Sequence, residues 1–199
     1  MIDFKGKTVW ITGASSGIGK ALAIKLGSLG ANLVLSSRKE DQLVEVANLC
    51  NTEVLILPID LEKSSNFSEK VVKVVSKFKN IDLLINNGGI SQRSRAYETD
   101  MEVDRKIMEV NYFGTVALTK SILPVMQKQK SGHITTISSS SGKFGFFLRS
   151  SYSASKFAQV GFFESLRLEE EKNNIFISIV FPFLVKTNIS LNAITEKGV

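Results

Sequence analysis

The sequence predicts an α/β fold: a doubly wound parallel sheet, strand order 3-2-1-4-5-6, with helices on both faces. Three observations predict it. Short apolar runs rich in β-branched and aromatic residues alternate with helix-like segments along the chain. The runs are continuously apolar, as strands covered on both faces are, and not alternating in polarity. The first run passes directly into glycines and then into a helical segment.

Thr8 to Thr12 (TVWIT) is the first strand and Ile18 to Leu29 the helix after it, ended by Gly30. Asn32 to Ser36 is the second strand, Lys39 to Leu49 a helix, and Glu53 to Leu57 the third strand. Asn66 to Phe78 is a helix, with Val71, Val74, Val75 and Phe78 three and four apart, and Ile81 to Ile85 is the fourth strand. One long helix is expected from Asp100 to Lys128, carrying Val103, Ile107, Val110, Gly114, Leu118 and Ile122 on one stripe. His133 to Ser138 is the fifth strand, Ser153 to Glu171 a helix and Phe176 to Phe181 the sixth strand. No repeat or linker divides residues 1–199, so a single domain is expected.

A chain of 199 residues, 43% hydrophobic and 22% charged, has the composition of a folded domain that needs no disulfide or metal to hold it together. Cys50 is the one cysteine and reads as a small inert residue. His133 is the one histidine, has no metal-ligand or nucleophile spacing around it, and no metal site is expected. Met1 to Lys7 carries no apolar core of a signal peptide, and no window is apolar enough to span a bilayer. A reducing, cytoplasmic setting is therefore expected. The net charge of +6 is spread among acids along helices, without the clustering or motif of a nucleic-acid binder.

Thr12-Gly13-Ala14-Ser15-Ser16-Gly17-Ile18-Gly19 joins the first strand to the first helix. Glycines there permit a tight turn and close packing, and the N–H groups at the helix start face an anion such as a pyrophosphate. Ser15 and Ser16 add hydroxyl donors. In this setting the turn is that of a Rossmann-type dinucleotide-binding domain. Where an acidic residue would take the ribose hydroxyl of NAD, the second strand ends in Ser36-Ser37-Arg38. Arg38 suits the 2′-phosphate of NADP, which makes NADP the expected cofactor ahead of NAD. Asp60 and Leu61 follow the third strand, near the adenine, and Asn87, Gly88 and Gly89 follow the fourth, beside the middle of the cofactor.

Tyr152 and Lys156 stand four apart, on one face of a helix. A phenol with a pKa of about 10 is a poor acid or base near neutrality, and an ammonium within about 4 Å favours its phenolate. The pair alone proves nothing. Together with Thr12-Gly13-x3-Gly17-Ile18-Gly19, Asn86-Asn87-x-Gly89, Asn111 and Ser139, it resembles the short-chain dehydrogenase/reductase superfamily over essentially the whole chain. Residues 111–120 and 190–195 are similar to the member 7 and 7B branch of dehydrogenase/reductases.

The resemblance implies an enzyme that moves a hydride between NADP(H) and a carbonyl or alcohol, a carbonyl reductase or alcohol dehydrogenase. It implies that Tyr152 exchanges the substrate proton, Lys156 lowers the tyrosine pKa and binds the nicotinamide ribose, and Ser139 steadies the substrate oxygen. Asn111 would hold a water linked to Lys156, while Pro182, Val185 and Thr187 would seat the nicotinamide. It further implies homodimers or homotetramers through the helices of Asn111 and Tyr152.

Gly88 replaces the alanine of the family's Asn-Asn-Ala-Gly, a small change. Phe183 follows Pro182 where the family has glycine, and a phenylalanine meets a cost wherever φ must be positive. The chain stops at Val199, short of the usual family length, so the seventh strand and the C-terminal substrate lid are expected to be absent from it. Phe144, Phe146, Phe147, Phe183 and Leu184 are expected to rim the pocket and to favour a bulky apolar substrate such as a steroid, retinoid or lipid-derived carbonyl. Packing in the core or between subunits is the equal alternative for these aromatics. Two other functions compete with the enzyme: a nucleotide-binding sensor or scaffold that has lost catalysis, and sugar-nucleotide epimerisation, which the short length opposes.

Overall fold

Strand β1 (Thr8–Thr12) lies at the centre, with all five residues buried. In the computed structural model, which describes residues 3–187 and 189–198, it pairs in parallel with β2 (Asn32–Ser36) on one side and β4 (Leu83–Asn86) on the other. β3 (Val54–Ile56), β5 (Gly132–Ile137) and β6 (Ile175–Val180) complete a parallel sheet in the order β3-β2-β1-β4-β5-β6. This is the doubly wound, Rossmann-type order read from the sequence.

Alternate β1 side chains face opposite cores, as the pleat requires. Val9 and Ile11 join Leu33 and Leu35 of β2 under α1 (Gly17–Ser28) and α2 (Glu40–Ala47), which contribute Ala23, Leu26, Leu43 and Val46. Trp10 joins Val34, Leu84 and Ile134 on the other face, with Val71 and Val74 of α3 (Phe67–Phe78). Its indole Nε1 donates to Ser36 Oγ at 2.9 Å, and that hydroxyl donates to the Leu57 carbonyl at 2.7 Å, so the buried polar atoms are paired across three adjacent segments.

The long helix is one rod with a fault in it. α4 (Met101–Met108) passes through a π-helical turn (Glu109–Phe113) into α5 (Gly114–Gln129). The stripe from Val103 to Ile122 is buried as its spacing predicts. Pro124 does not end α5; it faces solvent, where water can take the carbonyl it leaves unpaired. The π-turn has no signature in the sequence.

Two other boundaries move for local reasons. Ile81 sits outside β4 because its N–H and C=O are held by the Gln129 amide, each at 3.0 Å. α6 (Ser150–Glu170) begins three residues earlier than expected: its first residues, Ser150 and Ser151, read as loop by composition, but the Ser151 hydroxyl donates to the Asp104 carboxylate and docks the first turn on α4. That puts Tyr152 inside the helix. No helix among the described residues is long and apolar enough to cross a membrane.

Gly114 is where the helix runs closest to the loop after β3. A methyl group there would overlap the Leu61 carbonyl oxygen, which belongs to fixed backbone. Gly114→Ala is expected to lower stability by about 1–3 kcal/mol despite alanine's better helix propensity, read as a lower urea midpoint.

Candidate active site

The carboxyl ends of the parallel strands open into a cleft of about 1090 Å³. One end is lined by the turn Gly13 to Ile18 with Arg38 and Asp60, the other by Ser139, Tyr152 and Lys156. The residues assigned to nucleotide and proton chemistry therefore share one space.

The glycine turn is held from beneath. Thr12 Oγ1 accepts from the N–H groups of Asn87 and Gly88 at 3.0 and 2.9 Å, and Asn87 Nδ2 donates to the carbonyls of Thr12 and Gly13 at 3.0 and 3.1 Å. Gly13 has φ +63°, and a methyl there would come within 2.8 Å of Gly88 Cα. Ser16 caps α1 in extended conformation with no side-chain hydrogen bond, and no acidic residue occupies the first turn. The leading N–H groups are thus available to an anion.

Ser15, Ser16, Gly17, Ile18, Arg38, Asp60, Leu61, Asn87, Gly88, Gly89, Pro182, Val185 and Thr187 all line the cleft. Gly19 does not. It is pressed against the Gly13 carbonyl, so its lack of a side chain serves packing and not ligand contact. Arg38 is exposed at the cleft edge, and Lys39 beside it is a second cation that the motif reading passed over.

Leu148 turns the chain into α6 with φ +62°, a left-handed conformation that costs a side-chain-bearing residue on the order of 1 kcal/mol. Arg149 then caps the helix, and its guanidinium donates to Ser91 Oγ at 2.5 Å and the Gln92 carbonyl at 2.9 Å. These bonds tie the loop after β4 to the helix that carries Tyr152.

Tyr152 is 9% exposed, and burial raises its pKa above the ordinary phenol value. A hydrogen bond from Ser139 and the charge of Arg149 oppose that rise. The Ser139 oxygen accepts from the Ser141 N–H at 3.1 Å, which leaves its proton to be donated into the cleft.

Lys156 was expected to be the group that eases Tyr152's ionisation. In the structure Ser139 and Arg149 also favour the phenolate, and the Lys156 ammonium stands beside the tyrosine ring. It donates to the Ile137 carbonyl at 3.0 Å and Gln159 Oε1 at 3.2 Å, and lies 5.8 Å from the centre of the tyrosine ring. Burial lowers its pKa to about 8.

Asn111 lies in the π-turn, fully buried and off the cleft. Its Oδ1 accepts from the Ile90 N–H at 2.8 Å, and its Nδ2 donates to the Ile90 carbonyl at 2.9 Å and to Ser155 Oγ at 3.0 Å. Ser155 in turn donates to the Tyr152 carbonyl at 2.7 Å. The Gln159 side chain directly links Asn111 to Lys156, its Nε2 donating to the Asn111 carbonyl at 2.6 Å. Arg149, Ser155 and Gln159 escaped the sequence reading. Only Gln159 left a usable sign, its spacing of three from Lys156 on a helix.

Phe183 carries no backbone penalty. The described non-glycine residues with positive φ are Lys79, Lys130, Leu148 and Asn174, so its conformation is one any residue adopts. Phe146, Phe147, Phe183 and Leu184 line the cleft, whereas Phe144 does not. His133 pairs with Ser178 Oγ at 2.8 Å, at the opposite end of β5 from Ser139, and Cys50 is buried with Sγ 3.3 Å from the Val46 carbonyl.

A glycine turn and helix start sharing a cleft with a buried tyrosine and lysine, at the carboxyl edge of a parallel sheet, define a Rossmann-type α/β protein. The chain belongs to the short chain dehydrogenase family, whose pattern matches residues 7–197. It is 45% identical to a dehydrogenase/reductase SDR family protein 7-like of Drosophila melanogaster over 97% of this chain and 61% of the relative. It is 40% identical to dehydrogenase/reductase SDR family member 7B of Mus musculus over 98% of this chain and 62% of the relative. The chain thus spans about three fifths of the length of these curated relatives.

Among solved structures, a short chain dehydrogenase/reductase of Burkholderia phymatum in complex with NAD superimposes with a TM-score of 0.92 at 28% identity, over 96% of this chain and 70% of that one. A metagenomic short-chain oxidoreductase in complex with NADP does so with 0.86 at 30% identity, over 91% and 84%.

Replacing Asn111 by leucine leaves the Ile90 N–H and C=O without partners in the interior. Asn111→Leu is expected to cost about 2–4 kcal/mol of unfolding free energy, measured by chemical denaturation, although Asn111 does not reach the cleft.

Proposed function

We propose that this chain is the dinucleotide-binding and catalytic part of an NADP-dependent oxidoreductase that reduces a bulky, apolar carbonyl or oxidises the matching alcohol. The observation that carries the reading is the single cleft joining the glycine turn to Ser139 and Tyr152. The residues present fit the cofactor. The α1 start, with no side-chain cap hydrogen bond and no acidic residue in its first turn, offers N–H donors to a pyrophosphate.

Arg38 and Lys39, both exposed at the cleft edge, would hold the 2′-phosphate, with Asp60 and Leu61 near the adenine and Gly89, Pro182, Val185 and Thr187 near the nicotinamide. One of the solved relatives is described with NAD and another with NADP, so the choice of NADP rests on Arg38 and Lys39. When bound, the nicotinamide supplies or takes up the hydride.

The protein's part is to orient and to move one proton. Ser139 donates its hydroxyl proton to the substrate oxygen, where negative charge gathers as the carbonyl is reduced. Tyr152 gives that oxygen its phenolic proton and takes one back in the reverse direction. A phenol raised above its usual pKa stays protonated at neutrality, the form that reduction needs. Lys156 keeps one ammonium proton beyond the two given to Ile137 and Gln159, and would direct it to the nicotinamide ribose. Phe146, Phe147, Phe183 and Leu184 on the cleft support the apolar substrate. Phe113 and Phe157, 52% and 47% exposed on the π-turn and α6, support a homodimer or homotetramer through those helices.

Tyr152→Phe is expected to lower kcat for NADPH-dependent reduction of a carbonyl panel by about 10²–10⁴-fold while NADPH still binds. NADPH binding without turnover of any panel member by the unmodified chain would return the sensor reading. Arg38→Asp is expected to cut the preference for NADPH over NADH by about tenfold or more in kcat/KM, and an unchanged ratio would refute the cofactor assignment.

A further inference from the structure

Gln159, one turn beyond Lys156 on α6, is 1% exposed and takes part in no other contact that would explain an amide there. Its two ends are used differently. An ammonium only donates and a backbone carbonyl only accepts, so the amide fits in one orientation, Oε1 to Lys156 and Nε2 to Asn111. The bond to Asn111 is short, at 2.6 Å, and it reaches a π-turn whose position is set by the Asn111 bonds to Ile90.

We propose that Gln159 is a positioning residue that fixes the Lys156 ammonium against the π-turn and holds it as a cation beside Tyr152. The proposal rests on the reading of Tyr152 and Lys156 as proton-transfer and ribose-binding groups. An ammonium has three protons, and with two directed to Ile137 and Gln159 the third has one remaining direction. Without Gln159 the flexible butyl stem would be held at the Ile137 carbonyl alone. A buried ammonium pays for desolvation, and each acceptor placed against it offsets that cost, because the cation is a stronger donor than the neutral amine. The amide does this without a counter-charge that would bind the lysine as an ion pair.

The surroundings offer no rival for this task. Tyr152, on the same helix, faces Lys156 across 5.8 Å, and Arg149 at the helix start acts on Tyr152. The π-turn presents Asn111, β5 the Ile137 carbonyl, and the loop after β4 Gly89, none of them titratable. The ion pairs among the described residues, Lys7–Asp82, Lys77–Glu53 and Arg105–Glu102, do not involve Lys156.

The test is a titration of Lys156 by lysine 13Cε NMR, its resonance assigned by its loss in Lys156→Arg, in the unmodified chain and in Gln159→Leu and Gln159→Glu. Leucine removes an acceptor of the charged form and is expected to lower the Lys156 midpoint by about one unit, while glutamate adds an opposite charge and is expected to raise it by about one unit. Carbonyl reduction measured alongside is expected to show kcat reduced roughly tenfold in the leucine variant with KM for NADPH within about threefold, as for an interaction that orients the proton-transfer group. Midpoints within about 0.2 unit of the unmodified chain in both variants would overturn the proposal, since such a change is far below the shift a lost or gained partner produces. An unchanged kcat in a leucine variant whose midpoint has moved would overturn its catalytic part. If the leucine variant does not unfold cooperatively, the near-isosteric glutamate variant decides alone. Absence of turnover in the unmodified chain would refute the oxidoreductase reading, while the titration would still decide the role of Gln159.

Discussion

The Thr12 hydroxyl, accepting the N–H groups of Asn87 and Gly88, holds the end of β1 against the end of β4, and the cleft depends on that junction. Two parallel strands leave the sheet side by side there, one towards the glycine turn and the other towards Gly88 and Gly89. Neither exit can shift without stripping a buried hydroxyl and an amide of their partners. Asn87 completes the junction by giving both amide protons to the turn. Asn87, which lines the cleft, is thus also what gives the turn its shape.

A second polar system does the same for the side of the cleft that holds Tyr152 and Lys156. Asn111 fastens the π-turn to Ile90, Ser155 carries the connection to the Tyr152 carbonyl, and Gln159 carries it to Lys156. A π-turn widens the helix by a residue and aims a main-chain carbonyl outward that an α-helix would keep for itself. Here that carbonyl, on Asn111, receives Gln159. Conformational cost collects nearby: Leu148 takes a left-handed backbone and Lys156 is a buried cation whose pKa falls to about 8. Such costs persist only where the surrounding packing over-determines the geometry. The apolar cores on the two faces of the sheet supply that packing.

The strands were legible because each is a continuous apolar run, and β1 and β2 fall on their expected residues. Helix starts were less legible where serines begin them, as at Ser150, since composition there reads as loop. The glycine turn, Ser139, Tyr152 and Lys156 were visible as a motif, and the structure brings them to one cleft. Gly19 and Asn111 were visible as well, but they support the cleft from behind and do not face it. Phe183 illustrates the reverse case: an unusual residue that the backbone accepts without strain.

By itself the sequence determined the order of elements, the parallel sheet and the family, because hydrophobic periodicity and motif spacing are local properties of the chain. Only the tertiary structure decided which partner each polar group takes. Lys156 turns to Ile137 and Gln159, Arg149 reaches back to Ser91 and Gln92, and the Ser139 oxygen accepts from the Ser141 N–H. Most of those choices join residues on different elements, and they follow from burial: a polar group taken from water bonds to whatever the packing brings within reach.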